Sequence, residues 1–163
     1  MGRVVVGVDG SADSKAALRW AIDEAARWGD DVKAVYVYGL SDEHNPFLAA
    51  YASFASSSSA TRSAEDAIKW REERAEATRS QAEGLLSSAV REVRDPGSDV
   101  AVDLAVVPGG RPARALLDEA RGCNLLVVGA RGHGGFRGLR LGSIAEKCVR
   151  HAPCSVMVVR GGR

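Results

Sequence analysis

Short apolar runs alternate with amphipathic segments along this chain, and the alternation predicts a parallel α/β fold. The apolar runs have the length of strands, and the segments between them repeat apolar positions at helical spacing. Strand–helix alternation implies right-handed crossovers and an open parallel sheet with helices on both faces. The predicted strands are 4–8, 32–38, 100–107, 125–128 and 155–159, and the predicted helices begin near residues 11–14, 64, 112 and 143.

The composition of each strand predicts its place in the sheet. The first and fourth strands are almost wholly apolar, as expected for neighbouring central strands that are covered on both faces. The third alternates apolar and polar residues, so we expect it at one edge. The fifth, 155–159, is apolar and comes last, and we expect it at the other edge. Because an open apolar edge can pair with another chain, we predict a homodimer through this strand.

Composition and charge limit the possible functions. A chain of 163 residues with 45% apolar and 26% charged residues is typical of one globular domain, which we assign to 1–163. A net charge of +1 argues against a nucleic-acid or membrane-surface partner. No signal peptide is recognised, and no apolar run approaches the roughly 20 residues of a membrane span.

Three cysteines, an odd number, lie in apolar or helical contexts: Cys123, Cys148 and Cys154. This usage favours reduced thiols in the cytoplasm over a disulfide framework. A metal pair of Cys148 and Cys154 is the alternative to core packing, but no further His or Cys completes a ligand set. We therefore predict no metal site.

The segment from Gly129 to Ser143 carries the strongest chemical signal. It follows the fourth strand, has six glycines in the fourteen residues from Gly129 to Gly142, and ends where a helix begins. It has no carboxylate, and its positive or titratable side chains are Arg131, His133, Arg137 and Arg140. Glycines let the backbone approach an anion, and N–H groups at a helix start point towards it. We interpret the segment as a phosphate-binding loop with Ser143 as the helix cap; a flexible linker is the alternative.

A second polar segment, Asp9-Gly10-Ser11, follows the first strand. It should face the glycine loop where the strand order reverses, which is where open α/β sheets bind ligands. A carboxylate there can accept hydrogen bonds from ribose hydroxyls or an amino group, although a turn with a helix cap is the alternative. Together the two segments indicate a nucleotide site.

Catalytic motifs are missing from the sequence around this predicted site. The chain has neither a Walker Gly-Lys-Ser/Thr nor the Gly-x-Gly-x-x-Gly spacing of dinucleotide-binding folds. His133 has no recognisable nucleophile or acid beside it, so we predict binding without catalysis and assign no catalytic residue. The Ser/Ala-rich insert 41–63 is interpreted as a mobile loop, or as a short amphipathic segment through Phe47, Tyr51 and Phe54.

Several of these motifs resemble those of one family. Gly129-x2-Gly132-x9-Gly142-Ser143 resembles the ATP-binding signature of the universal stress proteins. The segment from Val6 to Ser11 resembles their opening strand and turn. Gly110-Arg-Pro-Ala113, Leu125–Gly129 and Cys154–Val159 resemble their later elements, in the same order along nearly the whole chain.

The resemblance implies a Rossmann-like five-stranded sheet in the order 3-2-1-4-5, a dimer through the fifth strand, and ATP, with or without Mg²⁺, as the ligand. It implies that Asp9 contacts ribose or adenine, that the backbone near Val37 pairs with adenine, and that the loop and helix start hold the phosphates. The candidate binding residues are Gly7, Asp9, Gly10, Ser11, Val37, Gly129, Ala130, Arg131, Gly132, His133, Gly134, Gly142, Ser143 and Ile144.

The implied function is that of a nucleotide-sensing regulator in stress adaptation. Two alternatives stay open at this point. One is a slow ATP hydrolase or nucleotidyl-transferring enzyme on the same fold. The other is an interaction module that binds a different nucleotide, such as cyclic AMP.

Overall fold

Strands and helices alternate along the chain as the hydrophobic pattern predicts. A computed structural model describes residues 2–38, 64–132 and 141–161. The insert 41–63 and the loop residues 133–140, which include His133 and Gly134, lie outside the described residues. The described elements are β1 (Arg3–Gly7), α1 (Ala12–Trp28), β2 (Asp31–Tyr38), α2 (Ala64–Val93), β3 (Val102–Pro108), α3 (Pro112–Glu119), β4 (Leu125–Gly129), α4 (Ser143–His151) and β5 (Ser155–Val159).

The five described strands form one parallel sheet in the order β3-β2-β1-β4-β5. This confirms the predicted fold class and the central position of the first and fourth strands. β1 pairs with β2 on one side and β4 on the other, so that Val4 lies opposite both Val32 and Leu125. Strand order reverses between β1 and β4, and this point defines the crevice at the carboxyl edge of the sheet.

Helices cover both faces of the sheet and divide the core in two. Successive residues of β1 point to opposite faces, so Val4 and Val6 join one cluster while Val5 joins the other. The first cluster packs under α1 and α2 around Leu18 and Leu86; the second packs under α3 and α4. Burial on both faces explains why β1 and β4 are almost wholly apolar.

The start of α1 is fixed by a side-chain cap in the predicted region. Ser11 occupies the N-cap position, and its hydroxyl accepts a hydrogen bond from the Ser14 N–H at 3.2 Å. Gly29 ends the helix in the left-handed conformation, with φ of 68° and its N–H donating to the Ala25 carbonyl. β3 begins at Val102, two residues later than predicted, after a turn in which Arg94 donates to the Val100 carbonyl oxygen at 2.9 Å.

The cysteine pair in the structure differs from the Cys148–Cys154 metal pair considered as an alternative above. Cys148 lies on the buried face of α4, whereas Cys154 lies beside Cys123, with 3.4 Å between the sulfurs. Across the described residues no group of three or more His, Cys, Asp or Glu side chains is placed to hold a metal ion. No helix in the described ranges has both the length and the apolar character needed to cross a bilayer.

The contact between β4 and α1 gives a stability test. A Cβ atom at Gly129 would lie 2.8 Å from the backbone of both Asp13 and Ser14, in the first turn of α1. We expect Gly129→Ala to lower the free energy of unfolding by about 1–3 kcal/mol, because the helix must move away from the sheet. Urea unfolding followed by circular dichroism measures this change.

Gly84 supplies the matched control. It lies within α2, and a Cβ atom there meets nothing within 4 Å. We expect Gly84→Ala to raise stability by about 0.5–1 kcal/mol, because alanine restricts the unfolded chain more than glycine does. Equal stability of the Gly129→Ala variant and the original protein would contradict the close helix–strand contact.

Candidate functional site

A cavity of about 550 Å³ opens at the carboxyl ends of β1, β2 and β4. It lies at the point where strand order reverses, and its volume falls within the roughly 300–1,000 Å³ of small-molecule sites. Four segments line it, together with residues of two further helices, α1 and α3. The lining residues are Gly7–Asp9, Val35–Val37, Val128–Gly132 and Gly142–Ala145, together with Ser14, Pro112 and Leu116.

The two predicted polar segments face each other across this cavity. Asp9 follows β1, and one carboxylate oxygen accepts a hydrogen bond from the Ser11 N–H at 2.9 Å. A Cβ atom built on Gly132 would collide with the other oxygen, Oδ2 of Asp9. The carboxylate and the loop backbone are therefore in direct apposition, and only glycine fits at position 132 without displacing Asp9.

Short backbone hydrogen bonds hold the two ends of the glycine-rich segment together. The Gly142 N–H donates to the Ala130 carbonyl at 2.7 Å, and the Ala130 N–H donates to the Val159 carbonyl at 2.7 Å. The first bond brings the start of α4 against the end of β4. The second ties both to the last residue of β5, so the cavity wall is continuous with the edge strand.

The N-terminus of α4 has no side-chain cap. Gly142 occupies the N-cap position with φ of −75° and ψ of 157°, and Ser143 is the first helical residue. The prediction that Ser143 caps the helix is therefore wrong, because its hydroxyl lies one position too late. The first intrahelical hydrogen bond runs from the Glu146 N–H to the Gly142 carbonyl. The preceding N–H groups, on Ser143, Ile144 and Ala145, belong to cavity-lining residues and have no partner within their own helix.

An uncapped helix start beside glycines is suited to an anion. Three N–H groups and the positive end of the helix dipole coincide there. α1 provides the contrast within the same chain, because Ser11 already satisfies one of its first N–H groups. The cavity therefore offers an anion one helix start whose donors no side chain of the helix occupies.

The opposite part of the cavity is apolar. Val37 at the end of β2 and Pro112, Leu116 and Ile144 from the two helices contribute to it. Gly7 lets Leu116 pack closely against β1, since a Cβ atom there would lie 2.9 Å from Leu116 Cδ1. The sequence indicated Val37 only through the family resemblance. Pro112 and Leu116 were missed because nothing in a helix pattern shows which turn reaches the sheet edge.

Two of the predicted binding residues lie beside the cavity rather than in its lining. Gly10 forms the turn after β1 with φ of 85°, a conformation that glycine adopts without strain. Ser11 caps α1, and its hydroxyl also donates to the Arg131 carbonyl at 3.3 Å. Both residues thus position Asp9 and the loop.

Asp13 is a residue that the sequence reading missed. It is only 8% exposed, and its two carboxylate oxygens have different partners. Oδ1 accepts from the Gly161 N–H at 3.0 Å, while Oδ2 pairs with Arg131 Nε at 3.4 Å. An acidic residue in the first turn of a helix normally indicates only a favourable dipole interaction. Here it joins Arg131 of the glycine-rich segment to the chain that follows β5.

The described lining of the cavity contains two charged residues, which have opposite signs. Asp9 is its acidic residue and Arg131 its basic one. The Arg131 side chain is 45% exposed, so it can reach an anion in the cavity while its Nε remains near Asp13. The arrangement supplies an acceptor on one wall and backbone donors with one cation on the other.

Comparison with known proteins gives the family. The model of the Universal stress protein family matches residues 1–160. A universal stress protein of Thermus aquaticus is 33% identical over 161 residues, covering 96% of this chain and 97% of the relative. A universal stress protein of Mycobacterium tuberculosis is 33% identical over 157 residues, but only 43% of its length is covered. The chain thus spans less than half the length of the mycobacterial relatives it matches.

Solved structures share the fold at lower identity. A universal stress protein of Lactobacillus plantarum has a TM-score of 0.62 at 24% identity, covering 98% of this chain and 97% of that one. A universal stress protein in complex with cAMP has a TM-score of 0.56 at 22% identity, covering 99% and 98%. One from Archaeoglobus fulgidus, in complex with dAMP, has a TM-score of 0.53 at 20% identity and covers 98% of each chain. With its matching sheet order and its family match over residues 1–160, this chain belongs to the universal stress protein family.

Proposed function

We propose that this protein binds ATP in the cavity between β1 and β4 and acts as a nucleotide-sensing regulator in stress adaptation. The observation that carries the proposal is the uncapped N-terminus of α4, closed against the end of β4 by the bond from Gly142 to Ala130. Such a group of N–H donors favours an anion as its partner. Solved relatives in complex with cAMP and dAMP support an adenine nucleotide as that anion.

The residues present fit such a ligand. Gly132, Ser143 and Ile144 would hold the phosphates through backbone N–H groups, with Arg131 adding positive charge. Val37, Pro112 and Leu116 would pack against the base, and Asp9 would accept a hydrogen bond from a ribose hydroxyl or an amino group. His133 and Gly134 remain predicted phosphate contacts that lie outside the described residues. Bound Mg²⁺ would sit on the phosphates and neutralise part of their charge.

We propose a binding role rather than turnover of ATP. In the described lining Asp9 is the one acidic residue, so it would have to serve both as general base and as metal ligand. It also holds the turn before α1 through the Ser11 N–H. A side chain occupied in this way is suited to orienting a ligand. Magnesium-dependent ATP hydrolysis that Asp9→Asn abolishes would instead support the enzyme alternative.

Regulation would follow from the connection between the loop and β5. The loop start donates to Val159, and Asp13 links Arg131 to Gly161 beyond the same strand. A ligand bound at Gly132 and Ser143 would therefore also influence the position of β5. Differential affinity for two loop arrangements would shift the equilibrium with a partner bound at that edge. The three cysteines form no disulfide, which supports a cytoplasmic setting for this activity.

Calorimetric titration with ATP, of the original protein and of the Gly132→Asp variant, tests the proposed site. The protein is first checked for bound nucleotide by mass spectrometry. The new carboxylate would crowd Asp9 and add negative charge beside the phosphates, so we expect affinity to fall by about tenfold or more. Gly97→Asp is the matched control, because a side chain there meets nothing within 4 Å and the charge change is the same. Absence of ATP binding by the original protein contradicts the function, and unchanged affinity in Gly132→Asp contradicts the site.

Competition among adenine nucleotides tests the identity of the ligand. The helix start and Arg131 favour the nucleotide with the longest phosphate chain, so ATP should bind more tightly than AMP or cAMP. Equal or tighter binding of cAMP would favour the interaction module over the ATP sensor. The measurement is displacement of a fluorescent ATP analogue at constant ionic strength, because phosphate contacts weaken with added salt.

We further propose a homodimer through β5, which pairs with β4 on one side only. Met157 in its middle is 37% exposed, and Val149 on the neighbouring α4 is 51% exposed. We expect Met157→Lys to shift the protein towards monomer in sedimentation equilibrium, because a charge on an edge strand opposes pairing.

β3, the strand at the other side of the sheet, provides the control for this substitution. Leu104 in β3 is 49% exposed, and Leu104→Lys makes a comparable change there. We expect that variant to remain dimeric. A monomeric original protein, or an unchanged dimer in Met157→Lys, would contradict the β5 interface.

A further inference from the structure

Two cysteines far apart in sequence meet at the amino edge of the sheet. Cys123 lies in the turn between α3 and β4, and Cys154 directly precedes β5. Parallel pairing of β4 with β5 sets Leu125 opposite Ser155, so the residues before each strand are also neighbours. The two sulfur atoms are 3.4 Å apart. The sheet register itself therefore holds the two thiols together.

The pair is accessible, unlike the third cysteine. Cys123 and Cys154 are both partly exposed at the margin of the second core cluster, whereas Cys148 is completely buried. Within the described residues no set of three ligands includes this pair, so its surroundings do not indicate a metal site. Two adjacent accessible thiols without such ligands have disulfide formation as their characteristic chemistry.

We propose that Cys123 and Cys154 form a reversible dithiol–disulfide site that exchanges with low-molecular-weight disulfides. One thiolate attacks a sulfur of the small disulfide, giving a mixed disulfide and releasing one small thiol. The second cysteine then attacks the protein sulfur of that mixed disulfide and releases the other small thiol. The protein loses two electrons and two protons to the small disulfide, which leaves as two thiols.

The surroundings of the pair affect the reactivity of Cys123. Burial, followed by the hydrogen bond with Cys154, raises the pKa of the Cys123 thiol to about 12. Cys123 also donates to the Leu125 carbonyl at 3.5 Å. The raised pKa slows attack by Cys123, because an attacking sulfur must first lose its proton. Cys148 is completely buried, which keeps small disulfides from reaching its sulfur, and burial also raises its pKa to about 11.

The bond would form with a small local movement and away from the nucleotide cavity. Closing the gap from 3.4 Å to the roughly 2.05 Å of a disulfide requires the sulfurs to approach by about 1.4 Å. The pair lies before β4 and β5, at the opposite edge of the sheet from the cavity. The cross-link would join the start of β5 to the turn before β4. It would therefore restrain the edge strand without contacting a ligand in the cavity.

Incubation with oxidised glutathione tests this inference. We expect the protein to lose two hydrogen atoms by intact mass, and thiol titration in denaturant to fall from three groups to one. The disulfide should raise Tm by about 5–10 °C, because it closes a loop of about 30 residues. Reduction with dithiothreitol should restore the three thiols and the original Tm.

Single substitutions identify the two sulfurs. Cys123→Ser should stop at a glutathione adduct on Cys154, and Cys154→Ser should stop at a glutathione adduct on Cys123. Cys148→Ser is the control and should still form the internal disulfide, leaving no free thiol. Three thiols after oxidation, separate adducts without an internal bond, a bond that includes Cys148, or only chain-to-chain cross-links would overturn the proposal. None of these outcomes depends on whether ATP binds.

Discussion

The contact between Gly129 and the first turn of α1 determines where everything at the carboxyl edge can lie. With no side chain at 129, the backbone of Asp13 and Ser14 rests directly on the end of β4. This contact places Asp9, just before α1, against Gly132, just after β4. It also brings the Asp13 carboxylate within reach of Arg131 and Gly161. A side chain at 129 would separate the two walls of the cavity, so a packing constraint and a proposed binding site share one residue.

From this contact a continuous set of bonds leads to the edge of the sheet. Val159 accepts from Ala130, Ala130 accepts from Gly142, and Gly142 begins the helix whose N–H groups line the cavity. The proposed phosphate site and the proposed dimer strand are therefore adjacent parts of one hydrogen-bonded unit. A regulator needs such a connection, because a ligand can influence a partner only through a part of the structure that both contact. The thiol pair lies at the other end of β5, which gives the same strand a second point of control.

Much of this arrangement is predictable because it depends on periodic features. Apolar content on both faces identified β1 and β4 as central strands, and that identification places Asp9 opposite the glycine loop. The glycine spacing and the family resemblance then indicated the residues proposed to face the phosphates. Contacts that depend on a specific tertiary approach were not predictable. Asp13 reads as an ordinary first-turn acid, Ser143 reads as a cap one residue too late, and the Cys123–Cys154 pair depends on strand register rather than on sequence spacing.

The central claim is that the cavity between β1 and β4 holds ATP by its phosphates at the start of α4. The most direct test is a crystal structure from crystals grown with ATP. The protein is refined without ligand, and the difference map is then inspected. We expect triphosphate density within hydrogen-bonding distance of the N–H groups of Gly132 and Ser143, and a purine beside Val37. An empty cavity at saturating ATP, or nucleotide bound elsewhere on the protein, would contradict it.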